Sequence, residues 1–347
     1  MVVSAQRFIG DSSGHQTFRN DLMHPAFSVI LLTTLIGAGQ GLYLAMVTGQ
    51  LYAIARFLPL QKDQFYALGS LVALVMLVAG LGASFFHLGR PERAWRAASK
   101  WKTSWLSREV IALPLVMFLV FAYALAHLME WTEPLFRVGQ SLDVDVTLLL
   151  GLLGTLASFA LYVCTAMIYA GVKFLEEWHT PLTVTNFIFF GAASGFMLAA
   201  AYSAYVGNPL VTFFGTWAAI LTLVALVSRV AHLARNARIK HKSTIQTAIG
   251  VRHTVLTQRA QGATGGSFNT REFFHGRSDR TLGLVRALYL ILVFPVPILL
   301  IGAAYVTESS TLPILAFAVQ FLGLLLERWS FFAEARHPQN LYYQSVA

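Results

Sequence analysis

Two residues of this chain, His87 and Glu109, are of types that exchange protons, and Arg90 lies between them. An imidazole and a carboxyl can each bind a carbonyl or hydroxyl oxygen and pass protons to water when their surroundings tune them. His87 falls in the last turn of one apolar run, and Glu109 in the first turn of the next, which Ser107 is expected to cap. Consecutive membrane helices run antiparallel, so both residues return to the same depth. Such a pair at a membrane edge, with Arg90 as a third binding candidate, suits a quinone head group, whose reduction takes up two electrons and two protons. Apolar helices beside it would admit the isoprenoid tail. The same two residues also suit the helix dipole, a histidine at a C-terminus and a glutamate at an N-terminus, with no chemistry implied.

The elements that must position them follow from composition. Of 347 residues, 56% are hydrophobic and 12% charged, roughly half the usual charged share of about 25%. One soluble core cannot hide that much apolar surface, and a disordered chain would be polar and charge-rich. A lone cysteine, Cys164, excludes a disulfide scaffold and cannot hold an iron–sulfur cluster or structural zinc. The expected fold class is an all-α integral membrane protein, a bundle of eight transmembrane helices forming a single polytopic domain over residues 1–347. The apolar runs extend roughly from Ala26 to Thr48, Phe65 to Phe86, Val110 to Leu128, Thr147 to Tyr169, Pro181 to Tyr205, Leu210 to Ser228, Leu282 to Tyr305 and Thr311 to Leu326. Val206-Gly207-Asn208-Pro209 predicts a tight hairpin between the fifth and sixth. The first 25 residues carry no signal-like apolar stretch, so the first span is expected to act as the insertion signal.

With eight spans, both termini share a face. The loops and tails of that face hold 21 Lys and Arg residues against 3 on the other, which predicts that both termini are cytoplasmic. Residues 229–281, the long loop between helices six and seven, hold ten basic and two acidic residues, Glu272 and Asp279. The loop begins helix-like and suits either a topology determinant touching anionic lipid or a docking surface for an acidic partner. Arg235, Arg238 and Lys240 are its candidate docking residues. Arg93, Arg96 and Lys100 are the corresponding candidates on one face of a short amphipathic helix that starts at Pro91. Trp95, Trp101 and Trp105 suit the interface belt.

No Asp, Glu, Lys or His falls at the centre of a run, which argues against an ion pump or proton-coupled transporter. The GAGQG segment, Gly37 to Gly41, reads as a close helix contact, and Gln40 and Gln320 as interhelical hydrogen-bond partners. His24, His87, His179, His232 and His337 lie at the basic face and His127 at the other. No two histidines share a depth inside two spans, so no haem is expected.

The cluster HLGRPERAWRA (His87 to Ala97) followed by TSWLSREV (Thr103 to Val110) resembles the membrane anchor subunits of dimethyl sulfoxide reductase-type molybdoenzymes, the DmsC family. HPAFSVILLTTLIGAGQGLYLA (His24 to Ala45) and ERWSFFAEARHPQNLYYQ (Glu327 to Gln344) are similar too, and the latter is closer to the sulfite dehydrogenase-like (SoeC) branch. The resemblance implies a three-part complex in the bacterial inner membrane. Molybdopterin and iron–sulfur clusters would sit in two partner subunits on the cytoplasmic side, a molybdopterin catalytic subunit and an iron–sulfur electron-transfer subunit. Electrons would be exchanged with an exchangeable quinone, ubiquinone or menaquinone, at His87 and Glu109. The long basic loop departs from the shortest anchors, which argues against carrying over dimethyl sulfoxide as substrate, and the cytoplasmic basic face suits sulfite oxidation coupled to quinone reduction. A quinol-oxidising dimethyl sulfoxide reductase anchor is the alternative, and a passive tether or non-redox transporter is the alternative of another class.

Overall fold

The computed structural model describes residues 27–88, 91–138, 142–240, 244, 246–247, 250–253 and 278–335, and, within these, not the side chains of His87, Pro91, Val138, Leu142 and Asp279. Arg90 and most of the 229–281 segment therefore lie outside the described residues. The helices are α1 (Phe27–Ile54), α2 (Asp63–Ser84), α3 (Trp105–Leu128), α4 (Val146–Ala170), α5 (Pro181–Tyr205), α6 (Val211–Asn236), α7 (Asp279–Val293), α8 (Pro295–Thr307) and α9 (Thr311–Ala333). α7 and α8 form one span, broken at Phe294 where Pro295 has no N–H to give the preceding turn. Eight candidate spans result among the described residues, each long and apolar enough to cross a membrane. The protein is a multi-pass membrane protein.

The 3-10 turn Phe85–His87 ends α2, and a 3-10 helix, Pro91–Lys100, leads towards α3. The expected cap shifts by three residues: Ser104, not Ser107, caps α3, its hydroxyl accepting the Ser107 N–H at 3.4 Å. Glu109 consequently sits a full turn inside the helix rather than at its start. Sequence reading also passed over a small hairpin between α3 and α4, with β1 (Phe136–Val138) antiparallel to β2 (Leu142–Val144) and Arg137 opposite Asp143. The Arg137 guanidinium binds the Asp143 carboxylate with two hydrogen bonds. The 206–209 turn forms as expected, with Gly207 in the left-handed region and Asn208 accepting the Leu210 N–H.

α1 and α5 are the central pair, each with 72% of its apolar window buried. They meet where their backbones touch. A Cβ on Gly195 would overlap the Gly41 backbone, and one on Gly41 would overlap Gly191. α2, α4 and α9 pack on α1, while α6 and α9 pack on α5. Tie points fix which loops share a face. Trp178 of the α4–α5 loop donates to the Phe331 carbonyl of α9 at 3.0 Å, and Arg235 near the end of α6 donates to the Glu176 carbonyl of that same loop. At the opposite face, Asn208 donates to Gln61 at 2.7 Å.

Candidate functional site

Glu109 lies inside the bundle, 8% exposed. α3 turns it towards α4, where the Thr165 hydroxyl donates to its carboxyl at 2.5 Å. Outside the bundle on the same helix, Arg108 stacks on Trp105 at 4.1 Å and donates to the carbonyls of Trp101 and Lys102. This ties the turn after the 3-10 helix to the start of α3. His87 is placed in the turn that ends α2, a helix packed against α3. Its side chain and Arg90 are outside the described residues.

The docking candidates divide. Arg93, Arg96, Lys100, Arg238 and Lys240 are exposed, with Arg93 3.7 Å from the Glu92 carboxylate and Arg96 over the Trp95 ring. Arg235 is half-buried and spends its guanidinium on Glu176 and Asn236. It is an internal strut as much as a surface charge.

A charge cluster that sequence reading placed in loops is buried nearby. α6 continues through Asn236 and α9 through Ala333, so Arg229, His232, Glu327 and Arg328 are helical residues inside the bundle. Arg229 (2% exposed) approaches Glu327 (1%) at 3.2 Å, and Arg328 (4%) approaches the same carboxylate at 2.9 Å. These are charge contacts in which the Glu327 oxygens gain no aligned hydrogen bond. Arg229 donates to the Tyr289 hydroxyl at 3.2 Å, and Arg328 lies over the Phe187 ring at 4.0 Å. His232 is held between Asn186 at 2.8 Å and the Glu177 carbonyl at 2.9 Å. The runs that hydropathy ends at Ser228 and Leu326 continue as helix, so these ionisable groups lie in the final turns of two spans and not in loops. The available sequence signal was the helix-like SRVAH and LERWS continuation of two apolar runs.

Gln320 bridges helices as expected, donating to Thr222 at 3.0 Å and to the Val293 carbonyl at 3.2 Å. Gln40 does not. Its amide nitrogen bonds the Ile36 carbonyl of its own helix, and its buried amide oxygen has no protein partner.

At the opposite face a second polar group forms. His127 binds Asp63 at 2.7 Å. Tyr123 donates to Gln50 at 2.9 Å, Gln50 to Thr147 at 2.6 Å, and Thr147 to the α4 cap Asp145 at 2.8 Å. Tyr66 and Tyr123 pack on the His127 ring.

Two comparisons place this architecture. The family model "DMSO reductase anchor subunit (DmsC)" matches residues 23–343. Over 325 residues, 94% of this chain and 100% of the relative, the sequence is 78% identical to a sulfite dehydrogenase subunit from Allochromatium vinosum. With the eight-helix bundle and a match over nearly its whole length, the chain belongs to the DmsC family of DMSO reductase anchor subunits, and within it resembles the sulfite dehydrogenase branch.

Proposed function

We propose that the chain is the quinone-reactive membrane anchor of a three-subunit molybdenum oxidoreductase that couples sulfite oxidation to quinone reduction. The observation that carries the reading is Glu109, a carboxyl buried at the basic edge of the bundle and held by Thr165. Burying such a group is costly unless it has work to do. The name and 78% identity of the relative support sulfite as the electron source. An iron–sulfur subunit would dock on the exposed Arg93, Arg96, Lys100, Arg238 and Lys240 and relay electrons from a molybdopterin subunit. The excess of basic residues on that face supports a cytoplasmic location in a bacterial inner membrane.

In this reading the quinone head group lies between the α2–α3 turn and α3. Each electron that reaches it from the iron–sulfur subunit is matched by a proton, and two of each convert quinone to quinol. Glu109 and His87 supply those protons and recover them from water. The family description supports a second reading, in which the same site oxidises quinol and electrons leave for a sulfoxide. Sulfite-dependent quinone reduction measured against quinol-dependent sulfoxide reduction in native membranes separates the two.

The test of the site uses the whole complex. Glu109→Gln and His87→Ala are expected to lower quinone-linked turnover by about 100-fold or more, the usual weight of a general acid or base. Reduction of a soluble dye by the partner subunits should survive. Normal quinone turnover in both variants would sink the proposal.

A further inference from the structure

Behind Glu109 is a cavity between α1, α4, α5 and α9, of about 20 Å³, room for at least one water molecule. Thr34, Gln40, Tyr162, Thr165, Ser194 and Arg328 line it. Two of these side chains present buried polar atoms with no protein partner, the Gln40 amide oxygen and one Arg328 nitrogen. Gln40 is 1% exposed and Arg328 4%. Leaving an acceptor and a charged donor unmatched in a protein interior is expensive, and the ordinary remedy is water bonded to both. Thr165 belongs to the cavity wall and also donates its one hydroxyl hydrogen to Glu109. The lone pairs of its oxygen remain available to accept a hydrogen bond from the cavity side.

We propose that this cavity is a water-filled proton conduit that reloads Glu109 through the Thr165 hydroxyl; the role given to Glu109 rests on the quinone reading above. In the transfer, a cavity water gives a proton to the Thr165 oxygen as the Thr165 hydrogen passes to the Glu109 carboxylate, and that water, left as hydroxide, takes a proton in turn from bulk water at the basic face. The hydroxyl then turns back to its starting orientation. No electron moves, and one proton enters for each that Glu109 has given up.

The charges fit such gating. Arg229, Glu327 and Arg328 together carry one net positive charge, which an ionised Glu109 balances. A fixed guanidinium at the cavity wall repels free hydronium. Protons then move along the hydrogen-bonded chain only when Glu109 is an empty acceptor.

The test is redox-induced infrared difference spectroscopy on the complete complex in membranes. The Glu109 carboxyl band is assigned by its loss in Glu109→Gln, and its exchange is followed after transfer to deuterated water. Thr165→Val keeps the shape and removes the hydroxyl. It is expected to slow both this exchange and quinone-linked turnover on the order of tenfold, as loss of one ordered proton-transfer partner should, and Thr165→Ser should restore both. Gln40→Leu does not touch Glu109 but takes away a water anchor, so it should slow exchange too, which a merely positional role for Thr165 would not produce. Wild-type exchange in Thr165→Val or Gln40→Leu, or Thr165→Ser as slow as Thr165→Val, overturns the conduit. If Glu109→Gln leaves quinone turnover intact while Thr165→Val and Gln40→Leu still slow exchange, the quinone reading falls and the conduit stands. If Glu109→Gln stops turnover while exchange is unaffected, the reverse holds.

Discussion

The two ends of the bundle bury polar groups in different ways. At the opposite face the Tyr123–Gln50–Thr147–Asp145 chain is built from side chains that satisfy one another in sequence, and it ends on a helix cap. The neighbouring Asp63 carboxylate is 32% exposed and meets water on the far side of its pair with His127, while the buried His127 Nε2 and the Tyr66 hydroxyl beside it have no protein partner. At the basic face three charges are packed among aromatic rings with one carboxylate shared between two guanidiniums, and Gln40 and Arg328 keep unmatched atoms beside a cavity. The first arrangement fixes the relative positions of α1, α3 and α4 at modest cost, as a complete hydrogen-bonded chain does. The second is an expensive way to join α6 to α9, because hydrophobic residues would join them more cheaply. The difference is that the basic end holds its ionised groups fully inside the bundle, whereas the carboxylate at the other end is left partly open to water.

Three perturbations sharpen or break this contrast. The largest effect is expected from Glu327→Gln, which strands two buried guanidiniums and should cost about 3–5 kcal/mol. Thermal unfolding of the purified complex would show it. Replacing Arg229, Glu327 and Arg328 together by Met, Leu and Met should recover most of that loss. A triple variant no more stable than Glu327→Gln would mean that the cluster is structural after all. Next is Gln50→Leu, which unpairs Tyr123 and Thr147 and should cost roughly 1–2 kcal/mol. It should leave quinone-linked turnover unchanged, and a turnover defect in a stable Gln50→Leu protein would erase the division between the two ends.

The smallest effect concerns the β1–β2 hairpin. The hydrogen bond from Arg137 holds the Asp143 carboxyl below its ordinary range. A depressed carboxylate stabilises the hairpin at pH above its unfolded pKa of about 4, and that contribution is lost as pH falls through the lower folded value. Both side chains are exposed, so the change should be confined to the hairpin. Protection of the Leu135 amide, whose N–H bonds the Val144 carbonyl at 2.8 Å, should fall on acidification when its exchange is measured against the intrinsic rate at the same pH, and Arg137→Gln should abolish that change in protection.

Much of the architecture was legible because a membrane interior leaves the backbone few choices. Eight apolar runs became eight spans, the Gly-Asn-Pro turn formed, and the GAGQG segment proved to be a helix contact. The charge cluster was not legible, for an instructive reason. Two runs were ended at Ser228 and Leu326, and the next residues, Arg229 and Glu327, are partners in the buried ion pair. Hydropathy stops at a charge, whereas a helix does not, and the opposite charge that makes burial tolerable comes from a span nearly a hundred residues away. Glu109 was legible as a residue type near the start of α3, though not as lying a full turn inside it. Its partner Thr165 was not, since one hydroxyl in an apolar helix is unremarkable until another helix is laid beside it. The hairpin was missed because three-residue strands leave almost no pattern.

The close crossing of α1 and α5 has a consequence for how the protein is made. The glycines that touch, Gly41 and Gly195, are separated by about 150 residues of chain, which a ribosome working at roughly 5–20 residues per second needs about 8–30 s to add. Throughout that interval the first helix is already in the bilayer, with the face meant for α5 turned towards lipid. Folding of the bundle core is therefore timed by translation, and α1 has to remain a sound solitary helix until its partner is synthesised.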